Sequence, residues 1–389
     1  MSIPELNIDL FAEDTLRNTP AVYRELRGAG AAVSLPKNDL FAITHFAAVR
    51  AALRADDQLV SSHGVAANDI INSIGGTATL TSDGDTHKRR RSVLTRPLSR
   101  TALEGVQHRI NSTAEALVRT LLAKGSFCGV NDFAAHLPLN VVAELVGLEE
   151  SGREQMLSWA AATFDALGPE NSRTFAALET ALGLFEYVQG LGPETVNADG
   201  WAAAALSEVE SGVLSPEEAA GMIIDYTAPS LDTTILATAH MLWRLSVTDG
   251  AFETLKEHPE FIGSTVLESV RLASPIRGFT RFVKEDYDTG AGTIPAGARV
   301  AVLYASGNWD DNHYERASQF LLDRNPRDHV GWGHGTHSCA GMHLARMEME
   351  ALLRALLKHV ARIETEEPEP ILNNVLQGFG ALPTRFHAG

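Results

Sequence analysis

From Thr101 to about Ile363, apolar residues return every three or four positions, with few β-branched runs between them. That period turns one face of each successive helix toward a core. Two stretches break it. Residues 31–45 (AAVSLPKNDLFAITH) and 276–304 (IRGFTRFVKEDYDTGAGTIPAGARVAVLY) read as short strands interrupted by Asn, Gly and Pro. The β-rich portions, about 31–60 and 276–304, flank most of the helical remainder, so the sheet must be assembled from distant segments. With no internal repeat and no low-complexity linker, the pattern predicts one interleaved domain over 1–389. Its class is mainly α with smaller β-sheets (α+β).

Two helices can be placed. The first opens at Ser215, with Pro216 at the first helical position and Glu218 set to complete a capping box. It runs through MIIDYTAPSLDTTILATAHMLWRL to about Leu245 and is apolar nearly all round, which sends it through the core. The second starts near Ala340 and runs GMHLARMEMEALLRALLKHVARI, with Lys358, His359 and Arg362 at its end, where the helix dipole favours cations.

Composition narrows the class. The chain has 389 residues, 44% of them hydrophobic, enough for a large core, which excludes disordered and fibrous proteins. Cys128 and Cys339, the only cysteines, form no disulfide framework and no Cys-x-x-Cys metal site. Met1 to Asp14 lacks a basic flank leading into an apolar run, and no stretch approaches the roughly 18 apolar residues of a spanning helix. A soluble cytoplasmic protein with no membrane partner is expected. The net charge of −17 argues against nucleic acid, which demands clustered cations. One run, Lys88-Arg89-Arg90-Arg91, departs from that balance.

Residues 331–341 read GWGHGTHSCAG. So many glycines mean a close approach to the backbone or positive φ. The helix that follows puts partial positive charge near Cys339 and lowers its thiol pKa, favouring a thiolate that acts as nucleophile or metal ligand. Three readings compete. Gly333-His-Gly-Thr-His337 after Asp288-Thr-Gly290 looks like a subtilisin-type protease, but no serine motif follows. His334, His337, Cys339 and His343 offer zinc ligands at no ordinary zinc spacing. In the third reading, Trp332, Gly333, Gly335, His337, Cys339 and Gly341 resemble the cysteine-ligand loop of the cytochrome P450 haem-thiolate monooxygenases, with Trp for the usual Phe.

Further motifs follow the same family in order. Glu268-Ser-Val-Arg271 resembles its Glu-x-x-Arg pair, with Arg324 as the third, structural member. Asp83-Gly-Asp-Thr-His87-Lys-Arg-Arg-Arg91 is similar to its propionate-binding helix, which implies that His87 and Arg91, with Arg281 and His337, hold the carboxylates of a haem b whose axial ligand is Cys339. Lys88, Arg89 and Arg90 then become candidates for docking an acidic electron donor, against the plain reading of a solvated charge run. Pro229-Ser-Leu-Asp232-Thr233 stands where the family has Ala-Gly-x-Asp-Thr, which implies that Asp232 and Thr233 are its acid and alcohol for oxygen activation. Pro229 cannot donate to the carbonyl of Asp225, so a kink is expected there in place of the family's glycine opening. Cys128 has no matching role.

The resemblance extends to members that oxidise para-substituted benzoic acids, through Gly152-Arg-Glu-Gln-Met156, residues 163–169 and residues 372–383. That subgroup's Arg-Ser before the oxygen motif is Ile224-Asp225 here, so its carboxylate binding is not carried over. Asp225 and Arg277 either pair with each other or contact substrate. Phe164, Leu167, Phe279 and Phe379 are candidate apolar walls for a small aromatic ligand. The resemblance thus implies hydroxylation or oxidative O-demethylation of such a substrate. Electrons would come from a separate ferredoxin or flavodoxin and its NAD(P)H-dependent reductase. A hydrogen-peroxide-using peroxygenase and a non-catalytic haem-binding sensor are the alternatives.

Overall fold

The computed structural model describes residues 3–74 and 76–388. Most of them are helical, and the principal sheet draws on both ends of the chain. Its strands lie in the order Ala32–Leu35, Leu40–Ile43, Arg299–Val302, Phe279–Val283, Leu59–Val60. Leu40–Ile43 runs parallel to Arg299–Val302, with Ala42 opposite Ala301, and the other neighbours are antiparallel. The two β-rich portions expected from the pattern therefore make one sheet. Within the first of them, Phe46–Ala52 is a helix.

The sequence pattern predicts helix up to Ile363, but the Met342–His359 helix stops earlier. Val360 turns extended (φ −106°, ψ 128°), and Arg362–Thr365 becomes a strand paired with Pro383–His387. Ser126–Cys128 adds a third strand on the far edge of Pro383–His387. The alternation that marks a half-buried strand is visible only once Ile363 and Phe386 are seen to be buried. Met342–His359 packs against the Arg100–Lys124 helix, whose start is capped by Ser99 Oγ accepting from the Ala102 N–H at 3.3 Å.

The long central helix is two helices. Pro216–Thr227 begins with the expected capping box: Ser215 Oγ accepts from the Glu218 N–H at 3.2 Å, and Glu218 Oε2 accepts from the Ser215 N–H at 2.9 Å. A tight 3₁₀ turn, Ala228–Ser230, follows, and a second helix runs Asp232–Val247. Pro229, lacking an N–H, sits in the turn, as its chemistry dictates. Consecutive buried residues from Thr234 to Leu242 show that this second helix crosses the core. Among the described residues no helix is long and apolar enough to cross a membrane.

Candidate functional site

Cys339 occupies the short link between a 3₁₀ turn, Gly335–His337, and the Met342–His359 helix. Its own N–H donates to the Trp332 carbonyl at 2.8 Å, which closes the loop on itself. Gly333 (φ +68°) and Gly335 (φ +71°) supply the left-handed turns, and a Cβ on Gly335 would lie 2.4 Å from the carbonyl oxygen of Leu53. Only glycine fits there. Cys339 is exposed on the wall of a recess. Burial pushes its thiol up, against the lowering supplied by the Gly341 N–H, Arg91 and the Met342 N–H. The helix-start groups expected to favour the thiolate are present and act against that burial.

Around the loop stand the predicted cations. Arg91 Nη2 donates to the Ser338 carbonyl at 2.5 Å, one residue before the cysteine. The rings of His87 and His337 lie 4.3 Å apart, and Arg281 is buried with Nη1 on the Thr280 carbonyl at 2.8 Å. Both ring nitrogens of His87 and Nε2 of His337 are buried with no hydrogen-bond partner. Burial, aided by His337 and Arg91, drives the His87 pKa down to about 4. Asp83 opposes this cationic cluster from 3.7 Å beside His337 Nε2. Burial alone would raise its carboxyl, but His337 and the N–H groups of Ser61 and Ser62 hold it far below the ordinary range.

The brace is present as expected. Glu268 and Arg271 are fully buried and bidentate at 2.7 and 2.8 Å, and Arg324 Nε reaches Glu268 Oε1 at 3.0 Å. Arg271 also donates to the carbonyls of Asn308 and Ala317, and Tyr314, absent from the sequence reading, lies beneath both guanidinium groups.

Asp232 is buried with Oδ2 unpartnered, and burial pushes its pKa up to about 7. Thr233, the next residue, is only partly buried.

Several assignments change. Arg90 is buried and, with Arg89, grips Glu218 at the start of the Pro216–Thr227 helix, while Lys88 pairs with Asp85. Arg89 and Arg90 therefore brace the fold internally, claimed by an acid far away in sequence, while Lys88 stays on the surface. Asp225 and Arg277 are not paired with each other. Asp225 Oδ2 accepts from the Thr79 N–H at 2.6 Å, and burial raises its carboxyl to about 6. Arg277 donates from Nη1 to the Asn373 carbonyl at 2.6 Å. Phe164, Leu167 and Phe279 join one apolar cluster with Leu236, but Phe379 turns away to His240 and Trp243. His334, offered as a zinc ligand, accepts from Arg54 Nε at 2.8 Å and also meets Arg50.

A recess of ≈ 760 Å³ reaches Cys339, Ser338 and Trp332, and its walls carry Arg50, Arg327 and Arg346 together with Glu260, Asp323 and Asp328.

Residues 252–387 match the family described as Cytochrome P450. Cytochrome p450 CYP199A2 of Rhodopseudomonas palustris is 30% identical to the chain over 390 residues, covering 99% of this chain and 95% of that protein. The chain belongs to the cytochrome P450 family. A second relative of this P450, the beta-dihydromenaquinone-9 omega-hydroxylase of Mycobacterium tuberculosis, is 31% identical over 89% of this chain and 71% of its own length. The solved structure of Mycobacterium marinum cytochrome P450 CYP268A2 in complex with pseudoionone shares the fold at a TM-score of 0.89, with 24% identity, over 99% of this chain and 100% of that one. The P450 is a monooxygenase by family, and the family implies a haem ligated by a cysteine thiolate. The residues here fit that group. Buried imidazole nitrogens left without partners, beside the guanidinium groups of Arg91 and Arg281, suit its two carboxylates, and a sulfur facing two N–H groups suits its iron.

Proposed function

We propose that the chain works as one domain around haem b, and that it inserts one oxygen atom into a small aromatic substrate by hydroxylation or oxidative O-demethylation. Cys339 would hold the iron, while His87, Arg91, Arg281 and His337 would hold the propionates. The observation that carries this reading is the convergence of orphaned buried donors, His87 and His337, on a cysteine whose sulfur already faces the N–H groups of Gly341 and Met342.

When bound, haem with an axial thiolate supplies the activation of dioxygen. The chain supplies a proton and a dry site. Asp232, unpartnered at Oδ2 and half-protonated near neutral pH, stores a proton beside Thr233, whose hydroxyl passes it on. Phe164, Leu167, Phe279 and Leu236 give an apolar wall that excludes water.

Electrons would come from a separate ferredoxin or flavodoxin with an NAD(P)H-dependent reductase, approaching over the recess that reaches Cys339. The recess offers Arg50, Arg327 and Arg346 beside the acids Glu260, Asp323 and Asp328, and exposed Lys88 is a further candidate contact.

Reduced protein exposed to carbon monoxide should show the thiolate-ligated Soret band, and Cys339→Ala protein should lose it. An unchanged band in that variant would overturn the assignment. Turnover with donor proteins plus NAD(P)H, and none with peroxide alone, separates the monooxygenase from a peroxygenase, and no turnover under either condition indicates a sensor. If no substituted benzoate, phenol or methoxyarene shifts the haem spin state, the aromatic substrate is wrong.

A further inference from the structure

Arg277 is the buried cation for which neither the loop nor the brace accounts. It lies just before the Phe279–Val283 strand, with its side chain 5% exposed. One guanidinium nitrogen, Nη1, is bound to the Asn373 carbonyl, while Nε is buried with no partner. No carboxylate comes within ion-pair distance of it among the described residues. Burial lowers its pKa to about 10. A buried charge left in that state is costly unless something pairs with it.

The charged and titratable groups that face it are Tyr23, Arg173 and Asp165. Tyr23 is buried and neutral, its pKa raised by burial to about 12. Arg173, on the Ser172–Gln189 helix, has Nε on Asn374 Oδ1 at 3.1 Å and Nη2 on the Phe11 carbonyl. Asp165, on the Glu150–Ala166 helix, already accepts the Asn374 N–H at 2.7 Å, and burial raises its carboxyl. Two guanidinium groups therefore face one engaged carboxylate, and the cluster is one anion short.

An apolar path leads away from it. Phe164 adjoins Asp165 in sequence, Val375 and Leu376 follow Asn374, and Phe279, which opens the strand, follows Arg277 by two positions. All four belong to one apolar cluster with Leu236, which lies one helical turn beyond Asp232. Residues next in sequence to Arg277, Asp165 and Asn374 thus belong to the same apolar wall that reaches the oxygen-activating helix.

We infer that Arg277 is the specificity-determining residue for an anionic substrate. Its unpaired guanidinium edge would take a carboxylate, while the apolar body lies along Phe164, Phe279 and Leu236 toward Asp232. This inference rests on the monooxygenase reading above and adds the charge of the substrate and the residue that reads it. A guanidinium edge suits a planar carboxylate, which accepts two hydrogen bonds in its plane.

The test is equilibrium binding to the haem-loaded protein by calorimetry, a readout independent of turnover. The probes are two acid–amide pairs, 3-phenylpropionate with 3-phenylpropionamide and octanoate with octanamide. At least one carboxylate should bind more than tenfold tighter than its amide. Arg277→Gln should erase that preference while leaving amide affinity within about twofold. Asp165→Asn, which removes the one competing carboxylate, should tighten carboxylate binding several-fold and decides the matter if Arg277→Gln does not fold. No carboxylate preference in either pair, absence of binding included, overturns the inference, as does a preference that survives Arg277→Gln or is unmoved in Asp165→Asn. Arg277-dependent binding of octanoate alone would support the anchor and remove the aromatic substrate. Failure of the haem assignment would appear separately, in the carbon monoxide spectrum.

Discussion

Thr233 Oγ1 donates to the carbonyl oxygen of Pro229 at 3.0 Å, across the break between the Pro216–Thr227 and Asp232–Val247 helices. The proline frees the Asp225 carbonyl from its helical partner, and the alcohol takes up a carbonyl of the turn that results. The break therefore orients the hydroxyl as well as opening the helix.

Replacing Pro229 by Ala restores an N–H that can donate to Asp225 and lets the helix run through. The fraction of NAD(P)H consumed that ends in product should fall at least twofold. Coupling equal to wild type, measured with the native donor chain, would show that the break has no part in oxygen activation.

Asp232 owes its raised pKa of about 7 to burial alone. As the proton-holding acid, it is competent below that value, so turnover should decline as pH rises through about 7. Asp232→Asn should be slower by about 10²-fold or more and flat over the same range. The same shift sets a stability trend. The folded chain binds this proton more tightly than the unfolded one, so stability falls as pH climbs from about 4 to about 7. Thermal unfolding of Asp232→Asn should lack that part of the slope.

Glu268→Gln leaves Arg271 fully buried beside a neutral partner and removes the acid shared with Arg324. The loss should be about 3–5 kcal/mol by denaturant unfolding, with weakened haem retention, because Arg271 also holds the carbonyls of Asn308 and Ala317.

Glu218 is held down to about pH 2 by hydrogen bonding from Arg89, with Arg90 adding to the effect. A depressed carboxyl contributes stability that is complete above about pH 4.5 and lost as pH falls toward 2. Glu218→Gln keeps a capping-box residue and should cost about 2 kcal/mol at pH 7, discounted for the partly exposed Arg89. The difference from wild type should vanish near pH 2.

What was legible in the sequence was local. The cysteine loop, the Glu268–Arg271 pair and the Ser215 capping box each lie within a few residues, where spacing alone fixes which atoms meet. Pro229 announced its own break for the same reason. Arg90 and Asp225 show the limit. Each was read by the company it keeps along its own helix, and each is claimed by a distant segment, Arg90 by Glu218 and Asp225 by the Thr79 N–H. The strands of residues 362–387 escaped because their partners include Ser126–Cys128, whose pairing no window can register. Phe379, a candidate wall by its type, packs on His240 and Trp243, contacts that its sequence neighbours do not reveal.

The parallel pairing of Leu40–Ile43 with Arg299–Val302 has a bearing on biosynthesis. A chain emerging N-terminus first presents Leu40, Ala42 and Ile43 long before residues 299–302 have been made. Throughout that interval one edge of the strand has bare N–H and C=O groups flanked by apolar side chains, the combination that invites pairing with another nascent chain. Yield during overexpression should therefore depend on chaperone supply and slow translation, and a haem held as proposed could be enclosed only after Cys339, late in the chain, has been released.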